Sequence, residues 1–113
     1  MDRRGTSDVV NPLAIGAAVR EDYHNRRIAA LNDHEIRLSV MTEAFRWHSH
    51  PDSDETFLVL DGALVIEFAD REVALNAGEL FTVPRGVVHR TSPARARSVN
   101  LTIEKRGAVT EFV

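Results

Sequence analysis

Between residues 26 and 104 the chain passes from short apolar runs to turn residues and back every few positions, and no other feature limits its fold as sharply. Ile36, Leu38 and Val40 alternate with Glu35, Arg37 and Ser39, the two-residue period of a half-buried strand. The same pattern predicts strands near 26–31, 34–42, 44–50, 55–60, 63–69, 72–75, 79–83, 87–91 and 97–104. Turn chemistry separates them at Asn32-Asp33, Asp61-Gly62, Asp70-Arg71, Asn76-Ala77-Gly78, Pro84-Arg85-Gly86 and Ser92-Pro93. Of these, Asp61-Gly62 carries the signal of a two-residue hairpin. About nine short strands at such spacing predict an all-β, antiparallel barrel or jelly roll.

The rest of the chain adds little to that core. With 113 residues there is material for one domain, and no repeat or low-complexity tract divides it. Residues 1–8 are polar and aperiodic, which predicts a flexible lead-in. Asn11-Pro12 then opens a helix, Asn11 as cap and Pro12 in the first turn, that is expected to end near Tyr23 and to lie across the outside of the domain. The runs Phe57–Leu60 and Leu64–Ile66 with Phe68 are apolar on both faces, so the face turned away from the core needs cover from that helix or from a second subunit. On this pattern alone the two covers are equal alternatives.

Composition removes several classes of function. A net charge of -3 provides no broad basic field for nucleic acid or an anionic membrane surface. The uncharged stretch Val9–Val19 is broken by Asn11 and Pro12, too short to span a bilayer and too interrupted for a signal peptide, so a cytoplasmic protein is expected. Without cysteine there is no disulfide, thiolate metal site or cysteine nucleophile, and any metal must be held by nitrogen and oxygen.

Three of the five histidines supply such donors. His48 and His50 are two apart, so on an extended strand both imidazoles leave the same face. Glu55 opens the next predicted strand after Pro51-Asp52-Ser53-Asp54, and His89 follows the turn at Pro84-Arg85-Gly86. Three nitrogens and one carboxylate oxygen suit Fe, Mn, Ni, Cu or Zn and suit Ca or Mg poorly.

The spacing His48-x-His50-x4-Glu55-x6-Gly62, followed by Gly78-x5-Pro84-x-Gly86-x2-His89, resembles the paired motifs of the cupin superfamily, in the style of its small single-domain cupin 2 members, some labelled mannose-6-phosphate-isomerase-like. Thr42 and Pro93 stand where the family pattern often has Gly and Asn. The resemblance implies a double-stranded β-helix, or jelly-roll, barrel over residues 9–113, with one motif at about 44–62 and the other at about 78–93. It further implies a divalent transition metal on His48, His50, Glu55 and His89. The superfamily includes dioxygenases, isomerases, decarboxylases, lyases and binders, and its small members are often dimeric, so the resemblance together with the two-sided apolar runs implies a homodimer. The expectation is a metal-binding cupin that acts on a small polar organic molecule by dioxygenase or isomerase chemistry; the alternative is a non-catalytic binding or regulatory module.

No residue is nominated as the catalytic acid or base, but three are candidates for substrate contact. Arg46 has the strand parity of His48 and His50, which would aim it into the barrel mouth as an anion clamp. Phe57 shares the face of Glu55, and Asn100, with Thr102, alternates against Val99, Leu101 and Ile103. Asp52 and Asp54 read as turn residues, and His24 and His34 fall outside the pattern.

Overall fold

The computed structural model describes residues 8–113; all of the expected lead-in except Asp8 lies outside them. One short helix and ten strands follow in order: α1 (Pro12–Ala17), β1 (Tyr23–Leu31), β2 (His34–Met41), β3 (His48–Ser49), β4 (Glu55–Asp61), β5 (Ala63–Glu67), β6 (Glu72–Asn76), β7 (Leu80–Val83), β8 (Arg90–Pro93), β9 (Ser98–Lys105) and β10 (Glu111–Phe112). A five-stranded sheet has the order β1-β2-β9-β4-β7, a three-stranded sheet the order β6-β5-β8, and β10 pairs with β3. The chain is an antiparallel double-stranded β-helix, as expected. No described helix is long and apolar enough to cross a membrane.

Met41, Phe57, Val59, Leu64, Ile66, Leu75 and Val83 pack between the two larger sheets. The outer face of the five-stranded sheet carries a second cluster, Leu38, Val40 and Val99, packed against Ile15 of α1 and Val19 just beyond it. Each such side chain, fully buried, contributes about 1.5–3 kcal/mol. Helix α1 thus covers β2 and β9, and of the two-sided runs only Leu60, near the end of β4, joins this cluster. The helix comes so close that a Cβ on Gly16 would stand 3.1 Å from Val99 Cγ1.

Several boundaries differ from the sequence reading, each for a tertiary reason. Helix α1 has the expected cap, with Asn11 Oδ1 accepting from the Ala14 N–H, but ends at Ala17. Tyr23 is instead the first residue of β1, drawn into a ladder against Met41. The strand expected at 44–50 shrinks to β3, because Phe45 N–H donates to the Thr91 carbonyl, and His48 and His89 exchange both backbone bonds. His89 forms that isolated bridge, and the strand placed at 87–91 runs from Arg90 to Pro93. Pro93, expected in a turn, pairs with Leu64 at the edge of the three-stranded sheet, where a missing N–H costs no ladder bond.

Asp61-Gly62 is not a hairpin: β4 and β5 belong to different sheets, and the dipeptide is the corner between them. Gly62 has φ +75°, and a Cβ there would fall 2.1 Å from the Arg97 carbonyl oxygen, so only glycine fits. Strand β10 had no signal in the alternation, since two residues are too few to show a period.

Candidate metal centre

The four expected ligands meet at one end of the barrel interior. His48 comes from β3, His50 from the residue after it, Glu55 from the start of β4 and His89 from the bridge opposite His48. One ligating atom from each lies within 4.8 Å of all the others. All four residues are buried, His89 completely. Donors at this separation can close on one ion through bonds of about 2.0–2.2 Å after small side-chain adjustments.

Backbone carbonyls fix the orientation of every imidazole. His48 Nδ1 donates to the Arg46 carbonyl at 2.7 Å, His89 Nδ1 to the Val87 carbonyl at 2.9 Å, and His50 Nδ1 to the Val109 carbonyl at 3.0 Å. A carbonyl can only accept, so each Nδ1 keeps its proton and each Nε2 is turned toward the cluster, the arrangement metal-ligating histidines use. His50 Nε2 and His89 Nε2 approach Glu55 Oε1 at 3.2 and 3.3 Å. Neither contact is aligned as a hydrogen bond, and all three atoms are buried without a partner. Buried polar atoms are seldom left so, and a cation on these donors satisfies all three.

The electrostatics agree with that demand. Without metal, the Glu55 carboxylate beside it raises His50 to about 9 against the cost of burial. Burial pushes Glu55 up, but His50 and His89 together outweigh it and hold the carboxyl below the usual carboxylate range. Burial is the main cause of a lowered His48. In the metal-free protein His50 therefore holds a proton where the ion would sit.

Beside the cluster opens a cavity of about 480 Å3. Its wall is made by the polar rows of the five-stranded sheet: Tyr23 and Asn25 from β1, Glu35, Arg37 and Ser39 from β2, and Thr102 and Glu104 from β9. Arg37 Nη1 donates to Glu35 Oε2 at 3.3 Å and Nε to Asn25 Oδ1 at 2.5 Å. Burial, followed by the neighbouring Glu55 carboxylate, raises Glu104 to about 7. The side chains of Tyr23 and Phe45 stack in the same wall with ring centroids 4.9 Å apart.

Of the three candidates for substrate contact, Phe57 lines the cavity and packs into the core. Asn100 is buried, with Nδ2 donating to Ser98 Oγ at 3.2 Å, and does not line the cavity. The parity that aligned Arg46 with the histidines is lost, because residues 42–47 are not a strand. Arg46 is exposed and outside the cavity wall, its guanidinium 3.9 Å above the Phe112 ring. Asp52 and Asp54 anchor loops by accepting from the backbone N–H of Val109 and Arg85. His24 and His34 stand apart from the cluster. The alternation that marked β2 as a strand also contained Glu35 and Arg37, but gave no sign that their face was the inner one.

A jelly-roll barrel with a His, His, Glu, His cluster at one end defines a class, and the comparisons give it a family. The sequence matches the cupin domain (Cupin 2) over residues 35–99, more than half the chain, and the protein belongs to that family. It is 45% identical over 108 residues to "Uncharacterized protein YdbB" of Bacillus subtilis (strain 168), a match covering 95% of each chain. A cupin-2 domain containing protein from Shewanella frigidimarina superposes with a TM-score of 0.80 at 34% identity, over 87% of this chain and 95% of that one. A protein with a double-stranded β-helix domain from Klebsiella pneumoniae shares the fold, with a TM-score of 0.79 at 14% identity over 95% and 97% of the two chains.

Proposed function

We propose that the protein is a metal-dependent cupin enzyme that acts on a small polar organic molecule by dioxygenase or isomerase chemistry. The observation that carries this reading is the set of buried, unpartnered donor atoms of His50, Glu55 and His89 beside a cavity of about 480 Å3. A cavity of that size has room for a small substrate. Fe, Mn, Ni, Cu or Zn on His48, His50, Glu55 and His89 would supply Lewis acidity to an oxygen-bearing substrate. Arg37, held by Glu35 and Asn25, offers its remaining N–H groups to an anionic or carbonyl group. Glu104 and Tyr23 line the same space as proton-transfer groups, and Phe57 gives it an apolar wall.

The test is metal analysis of the purified protein, followed by a screen of metal-free and reconstituted protein for oxygen uptake and for exchange of substrate protons with solvent. Turnover that appears only with metal supports the enzyme. Tight, metal-dependent binding of a small molecule with no turnover supports the regulatory or binding module instead.

A cytoplasmic homodimer completes the proposal. Leu80 is 62% exposed on β7, opposite the half-buried Leu58 of β4, and gives a second copy an apolar strip to cover. Light scattering at micromolar concentration tests it, and a monomer there contradicts it.

A further inference from the structure

The three ligand histidines are not held alike. His48 and His89 each donate Nδ1 to a carbonyl two residues earlier in their own segment. His50 instead takes its acceptor from Val109, 59 residues further along the chain, with Thr110 Oγ1 3.3 Å from the same nitrogen. The orientation of one metal ligand therefore depends on whether the C-terminal segment is docked.

That segment is held by few bonds. Val109 N–H donates to Asp52 Oδ1 at 3.0 Å, and Val113 N–H to the Trp47 carbonyl at 3.1 Å. Strand β10 pairs with β3 over two residues, and Phe112 lies beneath the Arg46 guanidinium. Its apolar side chains remain open, with Val109, Phe112 and Val113 exposed by 49%, 46% and 84%. A short strand with this little burial belongs to the low end of local stability. Yet Gly107, Ala108, Thr110 and Phe112 form part of the cavity wall.

We infer that residues 107–113 are a positioning strap for the metal centre: docked, they present the Val109 carbonyl to His50 and set it as a ligand, and metal binding in turn holds the strap down. This rests on the metal reading above. Linkage makes the two effects equal: whatever factor the strap adds to metal affinity, the metal adds to strap docking. Loss of the group that accepts the other N–H of a metal-bound histidine weakens binding by about 10–100-fold.

The experiment titrates Co2+, followed by its visible absorption, into the full chain, into a chain ending at Arg106, and into full-length Asp52→Ala and Asp52→Asn. Ending at Arg106 leaves in place its N–H bond to the Asp33 carbonyl and its guanidinium bond to the Asn32 carbonyl. The expected result is a loss of about 10–100-fold in affinity for the shortened chain. Asp52→Ala, which is exposed and removes only the Val109 anchor, loses affinity in the same direction, and Asp52→Asn, which keeps an acceptor oxygen, restores it. In the full chain, Co2+ slows hydrogen exchange at the Val109 and Val113 amides, a readout that a merely structural tail would not move. Equal Co2+ affinity in the full and shortened chains overturns the inference alone. A full chain that takes up no Co2+ removes the metal reading and the inference with it.

Discussion

Strand β2 turns Leu38 and Val40 outward beneath α1, and Glu35, Arg37 and Ser39 inward to the cavity. In a simple half-buried sheet the apolar face would be the inner one and the polar face would meet water. Here the polar row faces inward because it lines a cavity at this end of the barrel, and the apolar row faces outward because a six-residue helix covers it. If the inner face serves binding as proposed, and the outer face stability, changes to the two rows should separate cleanly.

The largest effect is expected on the outer face. Leu38→Ala removes a fully buried side chain from the α1 cluster and should cost about 2–5 kcal/mol in urea unfolding, with metal affinity unchanged. A parallel loss of metal would mean that the two faces are not independent.

Next in size is the response of the inner site to pH. The metal must displace the His50 proton, so affinity should rise with pH until about 9, where His50 is neutral without help. One released proton amounts to about tenfold per pH unit in that range. Metal-free stability runs the other way. The folded value of His50 lies above its ordinary 6.5, so the contribution of its proton is complete below pH 6.5, declines as pH rises and is gone above about 9. Competition titrations of metal at pH 7 and 9, with urea unfolding of the metal-free protein at both, check the two signs together.

Arg37→Ala should weaken a carboxylate ligand by about 1.5–3 kcal/mol in calorimetry of the metal-loaded protein, while metal content holds. Arg46→Ala should do least. It forfeits a stack on Phe112 worth about 0.5–1 kcal/mol and should change carboxylate binding by no more than that. If Arg46→Ala lowers ligand affinity more than Arg37→Ala, the assignment of the two arginines is reversed.

The contrast between these arginines also shows what the sequence could reveal. The cluster of His48, His50, Glu55 and His89 was legible because residue identity and spacing survive even where the strand around them does not: β3 is two residues long, yet His48 within it and His50 just after it both point into the cluster. Arg46 was misplaced because its aim was derived from strand parity across residues that are irregular. Period-two alternation divides Glu35, Arg37 and Ser39 from Leu38 and Val40 but is silent on which set is inside, since that depends on a helix packing from elsewhere in the chain. Tyr23, expected at the end of α1, was likewise claimed by a partner, pairing with Met41 as the first residue of β1. The role of Val109 lies in a backbone carbonyl, which every residue carries and no sequence pattern marks.

The central claim is that His48, His50, Glu55 and His89 hold one metal ion in a barrel whose fold does not depend on it. Elemental analysis of the untagged protein and of His89→Ala, alongside circular dichroism of both, tests this most directly. We expect about one equivalent of a transition metal per chain in the parent, most of it lost in His89→Ala, and the same β spectrum in each, because burial and turn chemistry specify the sheets. Full metal occupancy in folded His89→Ala would contradict the ligand set.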